Sequence, residues 1–417
     1  MRRVLTVLVI LTAAAIGLLP ASAGVQHDRT VSADPVDWTP HVSDGTVYAM
    51  LALGDRVYVG GDFDTITDSD GTEYPGWDNL FAYHRSTGEI DQNFRPMLDG
   101  TVRALAPGED GTLYVGGGFD EVDSSSQPGL ARLATSSGRQ YGDGDLGTDG
   151  GEVRSLQRHG DALYVGGRFT SISGVERPAL ARFDTTTDRL DRDFDMEIAE
   201  PKSGSLRVEQ LAISPGGTRL VLDGTFTEVA GQSRYLIAMV DVAANPAQLT
   251  SWSTDVFSEP CASHFDTPLR GLDFAPDGSY FVLATSGGTT GTSEYCDSAI
   301  RFETDDGSGA EPTWVNRTGG DSLYAVAATG PAVYVGGHQR WLNNPDGNDR
   351  AGPGAVSRPG IGALHPSTGK ALSWNPTRTR GVGVQCLVSI SEGLLVGSDT
   401  EELGHEHHGR IGMFPSS

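Results

Sequence analysis

One place in a repeated sequence unit is filled in turn by Tyr48, Arg103, Arg154, Glu209, Arg270, Tyr324 and Gln385. Three guanidiniums at equivalent places can grip a carboxylate, sulfate or phosphate through paired hydrogen bonds, or they can pair with Asp and Glu of neighbouring units. Both readings stand at this level. The next position reads Ala49, Ala104, Ser155, Gln210, Gly271, Ala325 and Cys386. Cys386 therefore replaces a small packed residue and is expected to be an inert buried thiol.

Trp38, Trp252, Trp314 and Trp374 share one repeat position, so packing accounts for them. Trp77 and Trp341 do not share it and fall in long connections. An exposed indole offers flat apolar area with a polar N–H, suited to stacking on a sugar or peptide; the alternative is that each Trp pins its own loop. Asp68, Asp70 and Glu73 surround Gly71 like a calcium loop, though shorter than an EF-hand and without its last acidic ligand. His405, His407 and His408, with Glu406 between them, are candidate zinc or copper ligands, or simply solvated loop histidines. Calcium is the one cofactor worth testing, and none is required.

No Gly-x-Ser-x-Gly elbow, His-Glu-x-x-His pair or phosphate loop is present. The acidic candidates for a polysaccharide hydrolase or lyase are Asp62, Asp64, Asp120 and Asp399. Such chemistry needs two carboxylates on opposite sides of one bond, and sequence does not supply their separation.

The elements that must position these residues follow from the repeat. Leu-Tyr-Val-Gly-Gly or a close variant ends at Gly61, Gly117, Gly167 and Gly337, with worn copies ending at Gly224, Thr285 and Ser398. That spacing of about 50–60 residues marks a propeller or another repeat array. Each unit reads as an alternating strand, a tight turn with Gly or Asp, the Val-Gly-Gly strand, a third strand, and a fourth ending in an aromatic such as Phe94, Phe194, Trp252, Trp314 or Trp374. The seventh unit stops after its third strand at Pro415, while Asp37-Trp38-Thr39-Pro40 parallels Ser373-Trp374-Asn375-Pro376. The expected fold is all-β: a seven-bladed β-propeller over residues 24–417, closed by an N-terminal strand that completes the last blade and removes a weak seam.

The Val-Gly-Gly-x-Phe sentence, with Leu-Ala-Arg and Thr-Gly turns, resembles the delta-60-type propeller repeats of secreted actinobacterial proteins. Trp374–Gly381 and Val396–Thr400 resemble the end of the same group. The resemblance spans the mature chain and implies fold and export, but little about activity.

Met1-Arg2-Arg3, the apolar run Val4–Leu19 and Ala21-Ser22-Ala23 form a secretory signal pattern with expected cleavage after Ala23. The run is short for a membrane span, so no insertion is expected. In an exported chain, Cys261 and Cys296, which flank one repeat, are expected to form a disulfide. A formal charge of −25 disfavours nucleic acid and anionic membrane surfaces. Connections from second to third strands, such as Asp62–Asn79 and His338–Gly360, are long and all different. Variable loops gathered on one face of a rigid scaffold are where binding resides. The sequence therefore points to a secreted, monomeric, non-catalytic module binding a glycan, peptide or protein through the long-loop face and the channel mouth, with the extracellular hydrolase or lyase as alternative.

Overall fold

The computed structural model describes residues 25–142, 146–259, 261, 266–288, 293–379 and 381–416. The signal-peptide expectation lies outside them. The described residues form an all-β, propeller-like fold; no helix among them is long and apolar enough to cross a membrane.

Seven antiparallel sheets succeed one another, each opening with one of Val47–Leu53, Val102–Pro107, Glu152–His159, Val208–Ile213, Leu269–Phe274, Leu323–Ala328 and Val384–Ile390. These first strands pack in sequence, and that of sheet seven also packs against that of sheet one. They all mix buried and half-buried residues, strictly alternating in Val102–Pro107, because one side faces a central cavity. The second strands, such as Thr112–Gly117, are buried throughout because neighbouring sheets cover both faces.

The Gly-Gly pair has a steric cause. A Cβ on Gly60 would lie 2.4 Å from Val102 Cγ1 of the next sheet, and one on Gly61 would lie 2.1 Å from the Thr46 carbonyl. Sheets can approach this closely only where the side chain is missing. The same inter-sheet contact recurs where Gly397 of sheet seven meets Val47 of sheet one, at 2.7 Å from a built Cβ. The apolar core is accordingly a set of layers between sheets. Leu51, Tyr58 and Phe94 join Val102, Val115 and Leu133 in one layer, and Val47, Val57 and Phe81 join Ile390, Leu395 and Met413 in another.

Two details differ from the sequence reading. A fourth strand forms a ladder only in sheets three, four and five (Arg189–Leu190, Gln248–Leu249, Trp314–Arg317). In sheets one, two and six it shrinks to single bridges, Tyr83↔Ile90, Leu133↔Gln140 and Leu364↔Ala371, because the chain leaves for the next sheet after one pair. The N-terminal segment runs beside Ile411–Pro415, with Ser32 N–H donating to Pro415 O (2.8 Å) and Val36 N–H to Met413 O (3.0 Å). Four residues on one side span two on the other, so this contact is irregular rather than a ladder.

The second-to-third connections also differ from plain loops. Six of them fold into small hairpins, among them Thr65–Thr67 with Glu73–Pro75 and Glu402–Leu403 with Glu406–His407. In sheet five the Cys261–Cys296 disulfide pins the corresponding connection instead.

Candidate functional site

The seven residues singled out in the first strands share an unforeseen geometry. In every sheet the register between first and second strands slips at that place, between Val47 and Ala49, Val102 and Ala104, Val153 and Ser155, Val208 and Gln210, Leu269 and Gly271, Leu323 and Ala325, and Val384 and Cys386. The intervening residue is thus a bulge in all seven. A bulge leaves one residue unpaired, bends the strand locally and re-aims a side chain. Tyr48, Arg103, Arg154, Tyr324 and Gln385 line a central cavity of about 180 Å³, together with the neighbours of Glu209 and Arg270.

The charged side of this ring is largely self-satisfied. Arg103 Nε donates to Glu152 (2.8 Å), and Glu152 also pairs with Arg154 (2.9 Å). Arg154 reaches Glu209 (2.6 Å), Glu209 pairs with Arg207 (2.5 Å), and Arg207 reaches Asp266 (3.2 Å). This belt of alternating charge crosses sheets two to four and ends beside sheet five. Burial opposes ionisation of Glu209, but Arg154 and Arg207 outweigh it and hold the carboxyl below its usual range. Asp223, fully buried nearby, is pushed well above the carboxylate range by burial and then by Glu209. Arg270 donates to the carbonyls of Thr267 and Leu269. Arg103 also lies 3.9 Å over the Tyr48 ring, whose hydroxyl donates to Asp62 (3.3 Å). Glu152 and Arg207, the residues that complete the belt, were missed by the sequence reading. The available signal was an opposite charge immediately before Val153 and Val208. Cys386 lines the same cavity, and burial pushes its thiol up to about 12.

Trp77 is not an exposed platform. It is 7% exposed and donates its indole N–H to Phe94 O (3.3 Å). Tyr74 meets it edge-on and Arg95 lies 4.5 Å over its face. Trp341 is half-buried, and Arg340 covers one of its faces at 4.4 Å while held to Asp321 through two hydrogen bonds.

Among the described residues, no three His, Cys, Asp or Glu side chains are gathered to hold a metal ion. Asp68 instead caps its hairpin turn, accepting from Asp70 N (3.1 Å), Thr72 N (2.8 Å) and the Tyr74 hydroxyl (3.3 Å). Asp70 and Glu73 are exposed on that turn. His405 contacts the Thr377 hydroxyl, whereas His407 and His408 lie beside His41. Of the acidic candidates, Asp62 accepts from Thr46 N (2.6 Å), and Asp399 from Val382 N (2.6 Å) and Gly383 N (2.8 Å). Asp64 and Asp120 have their own amides capped by Asp44 and Asp99. They are distributed over the connections of sheets one, two and seven, with Asp62 and Asp64 in the same one.

A second cavity was not foreseen. A cleft of about 560 Å³ between the connections of sheets one and two is lined by Gly76, Asp78, Arg95, Met97, Asp99, Glu121 and Arg139, among others. Met97 is half exposed. Arg139 pairs with Asp123 (2.7 Å), whereas Arg95 has no carboxylate partner among the described residues beyond its contact with Trp77. Burial, then Asp64 and Asp44, raise the Asp78 carboxyl above its ordinary value.

Two stretches, residues 109–138 and 163–194, match the family model described as a domain of unknown function (DUF5122) beta-propeller. No curated protein matches the sequence. Among solved structures, the Cps50 (Swd1) beta-propeller domain of Myceliophteria thermophila is similar with a TM-score of 0.52 at 10% identity, covering 90% of this chain and 98% of that one. The extracellular domain of the putative one component system BT4673 from B. thetaiotaomicron is similar with a TM-score of 0.50 at 12% identity, covering 93% of this chain and 40% of that one. At such identities the likeness concerns the fold. The family model and these neighbours agree on a β-propeller-like fold.

Proposed function

We propose that this is an exported, single-domain, monomeric propeller of seven blades, a delta-60-type array of the kind secreted by actinobacteria, whose N-terminal segment completes the last blade. It acts as a binding module for an extracellular glycan, peptide or protein. Support for the closed ring comes from Trp38. A Cβ on Gly88 of sheet one would collide with the Trp38 backbone, just as one on Gly369 of sheet six would collide with Trp314 of sheet five. Trp38 thus stands to sheet one as Trp314 stands to sheet six, the place of a preceding blade's outer edge. Export accords with the disulfide. The charge of −25 disfavours nucleic acid as the partner.

The observation that carries the binding reading is the cleft between sheets one and two, where the Arg95 guanidinium lies on a buried indole and, among the described residues, forms no ion pair with a carboxylate. A planar cation held flat on an aromatic loses little freedom on binding and can give a carboxylate or hydroxyl paired hydrogen bonds. Arg139 and Met97 add a second cation and an apolar contact. The charge belt makes the channel mouth the secondary contact surface. Titration calorimetry against cell-wall and plant polysaccharides and acidic peptides tests this. Arg95→Ala is expected to weaken binding about tenfold or more while Tm changes little. Binding that is indifferent to both Arg95→Ala and Arg139→Ala would remove the cleft from the proposal.

One observation favours the alternative of a polysaccharide hydrolase or lyase: Asp78, with its raised carboxyl, lines the same cleft as Glu121. Turnover of a panel polysaccharide that disappears in Asp78→Asn would replace the binding reading with that one.

A further inference from the structure

The junction between the first and last sheets is stitched by an imidazole whose lone pair is already in use. His41 lies in the short strand His41–Val42, which pairs with Thr65–Thr67 of sheet one's hairpin. Its Nδ1 accepts the Gly409 backbone N–H at 3.0 Å, and Val42 N–H donates back to Gly409 O at 2.8 Å. A backbone amide can only donate, so Nδ1 must be unprotonated and the ring neutral for this bond to exist. Two more imidazoles crowd the same place: the His407 ring centroid is 4.8 Å from that of His41, and the His408 centroid 6.2 Å. His408 is buried and shares a hydrogen bond with the Thr39 hydroxyl (3.2 Å), again across the junction.

We propose that this junction is a pH-sensitive latch, closed while His41 is neutral and released when its Nδ1 takes up a proton. Protonation turns the acceptor into a donor facing a donor, losing the His41–Gly409 bond and placing a cation against two neighbouring imidazoles. The groups facing the cluster are Asp37 on the N-terminal segment, Asp68 on the first hairpin, and Glu406 and Arg410 on the last connection, where Arg410 donates to Val42 O and Gly45 O (both 2.9 Å). Asp68 favours a proton on His41, and Asp37 and Glu406 favour one on His408. Burial and the mutual repulsion of the rings prevail: His41 is lowered to about 4 and His408 is lowered as well. The sign follows. A folded-state value below that of the unfolded chain means junction stability is complete above about pH 6.5 and is lost as pH falls toward 4.

Hydrogen exchange read by mass spectrometry on the full mature chain at pH 7.5, 6 and 4.5, corrected for intrinsic rates, tests the latch. Peptides covering 37–45 and 404–412 are expected to lose protection about tenfold or more between pH 7.5 and 4.5, while those covering 208–224 in sheet four do not. In His41→Asn, whose Oδ1 can accept the Gly409 N–H without taking a proton, the loss is expected to vanish. In His407→Gln, an exposed substitution that removes one repelling ring, it is expected to shrink. Uniform loss across all sheets, or equal loss in wild type and both variants, would overturn the proposal. Should His41→Asn fail to fold, the comparison of wild type with His407→Gln decides alone.

Discussion

Asp273 sits where the other first strands carry Leu51, Ala106, Gln157, Ala212, Ala327 and Val388. Its carboxylate accepts the Ala328 backbone N–H at 2.8 Å and so ties sheet five to sheet six. Burial pushes its pKa up to about 7, against the opposing effect of the backbone N–H bonds it accepts. The folded state therefore holds this proton more tightly than the unfolded chain. Its contribution to stability is complete below about pH 4 and is lost as pH rises through 7. The full shift corresponds to ~4 kcal/mol, and partial exposure of the residue reduces this to about 2 kcal/mol. Asp273→Asn keeps an acceptor for Ala328 but cannot ionise. The variant should match wild type near pH 3.5 and exceed it by about 2 kcal/mol at pH 8, seen as a Tm gain of about 2–3 °C in a chain of this size. Scanning calorimetry at pH 3.5, 5, 6.5 and 8 measures the difference directly, and other titrating groups cancel in the comparison. A Tm difference of the same size at every pH would refute the reasoning, because it would reflect packing rather than a proton.

Removing the disulfide by Cys261→Ser with Cys296→Ser opens a loop with a sequence separation of 35, which the chain-entropy argument values at about 3–4 kcal/mol; denaturant midpoints of the two forms should differ accordingly, with little change in the sheets by circular dichroism. Glu152→Gln leaves Arg103 and Arg154 facing each other without their shared carboxylate and should cost ~2–3 kcal/mol by the same measurement. A neutral outcome would show that the belt is not a source of stability.

The repeat made most of the fold legible. Val-Gly-Gly recurs because two close approaches recur, so the second strands and their partners could be located before any coordinates. The six small hairpins were not legible, since strands of two to four residues carry no periodic signal and depend on caps such as Asp68 and Asp99. Trp77 shows a different limit. Its place outside the repeat alignment leaves an exposed platform and a loop-pinning residue equally readable, and the structure fits the second: the residue is enclosed by Tyr74, Arg95 and the Phe94 carbonyl, partners that sequence distance does not reveal. The ring arginines and their pairing with acidic groups of neighbouring units were legible, but Glu152, two residues before Arg154, was not picked out as the carboxylate that Arg103 and Arg154 share. His41 escaped notice because its partners lie more than 360 residues later and meet it only when the two ends of the chain come together.

The recurring bulge has a consequence for how such a chain can change. In an ordinary strand every residue belongs to one face or the other, so altering a residue alters either packing or surface. Here the extra residue belongs to neither. The seven copies within this one molecule show the result: the flanking places hold mostly Val or Leu on one side and small residues on the other, while the bulged place ranges over Tyr, Arg, Glu and Gln. The axis of the molecule thus has seven variable positions outside the packed layers, where a change of chemistry must suit the neighbouring members of the ring, as Arg154 suits Glu209, rather than the layers themselves.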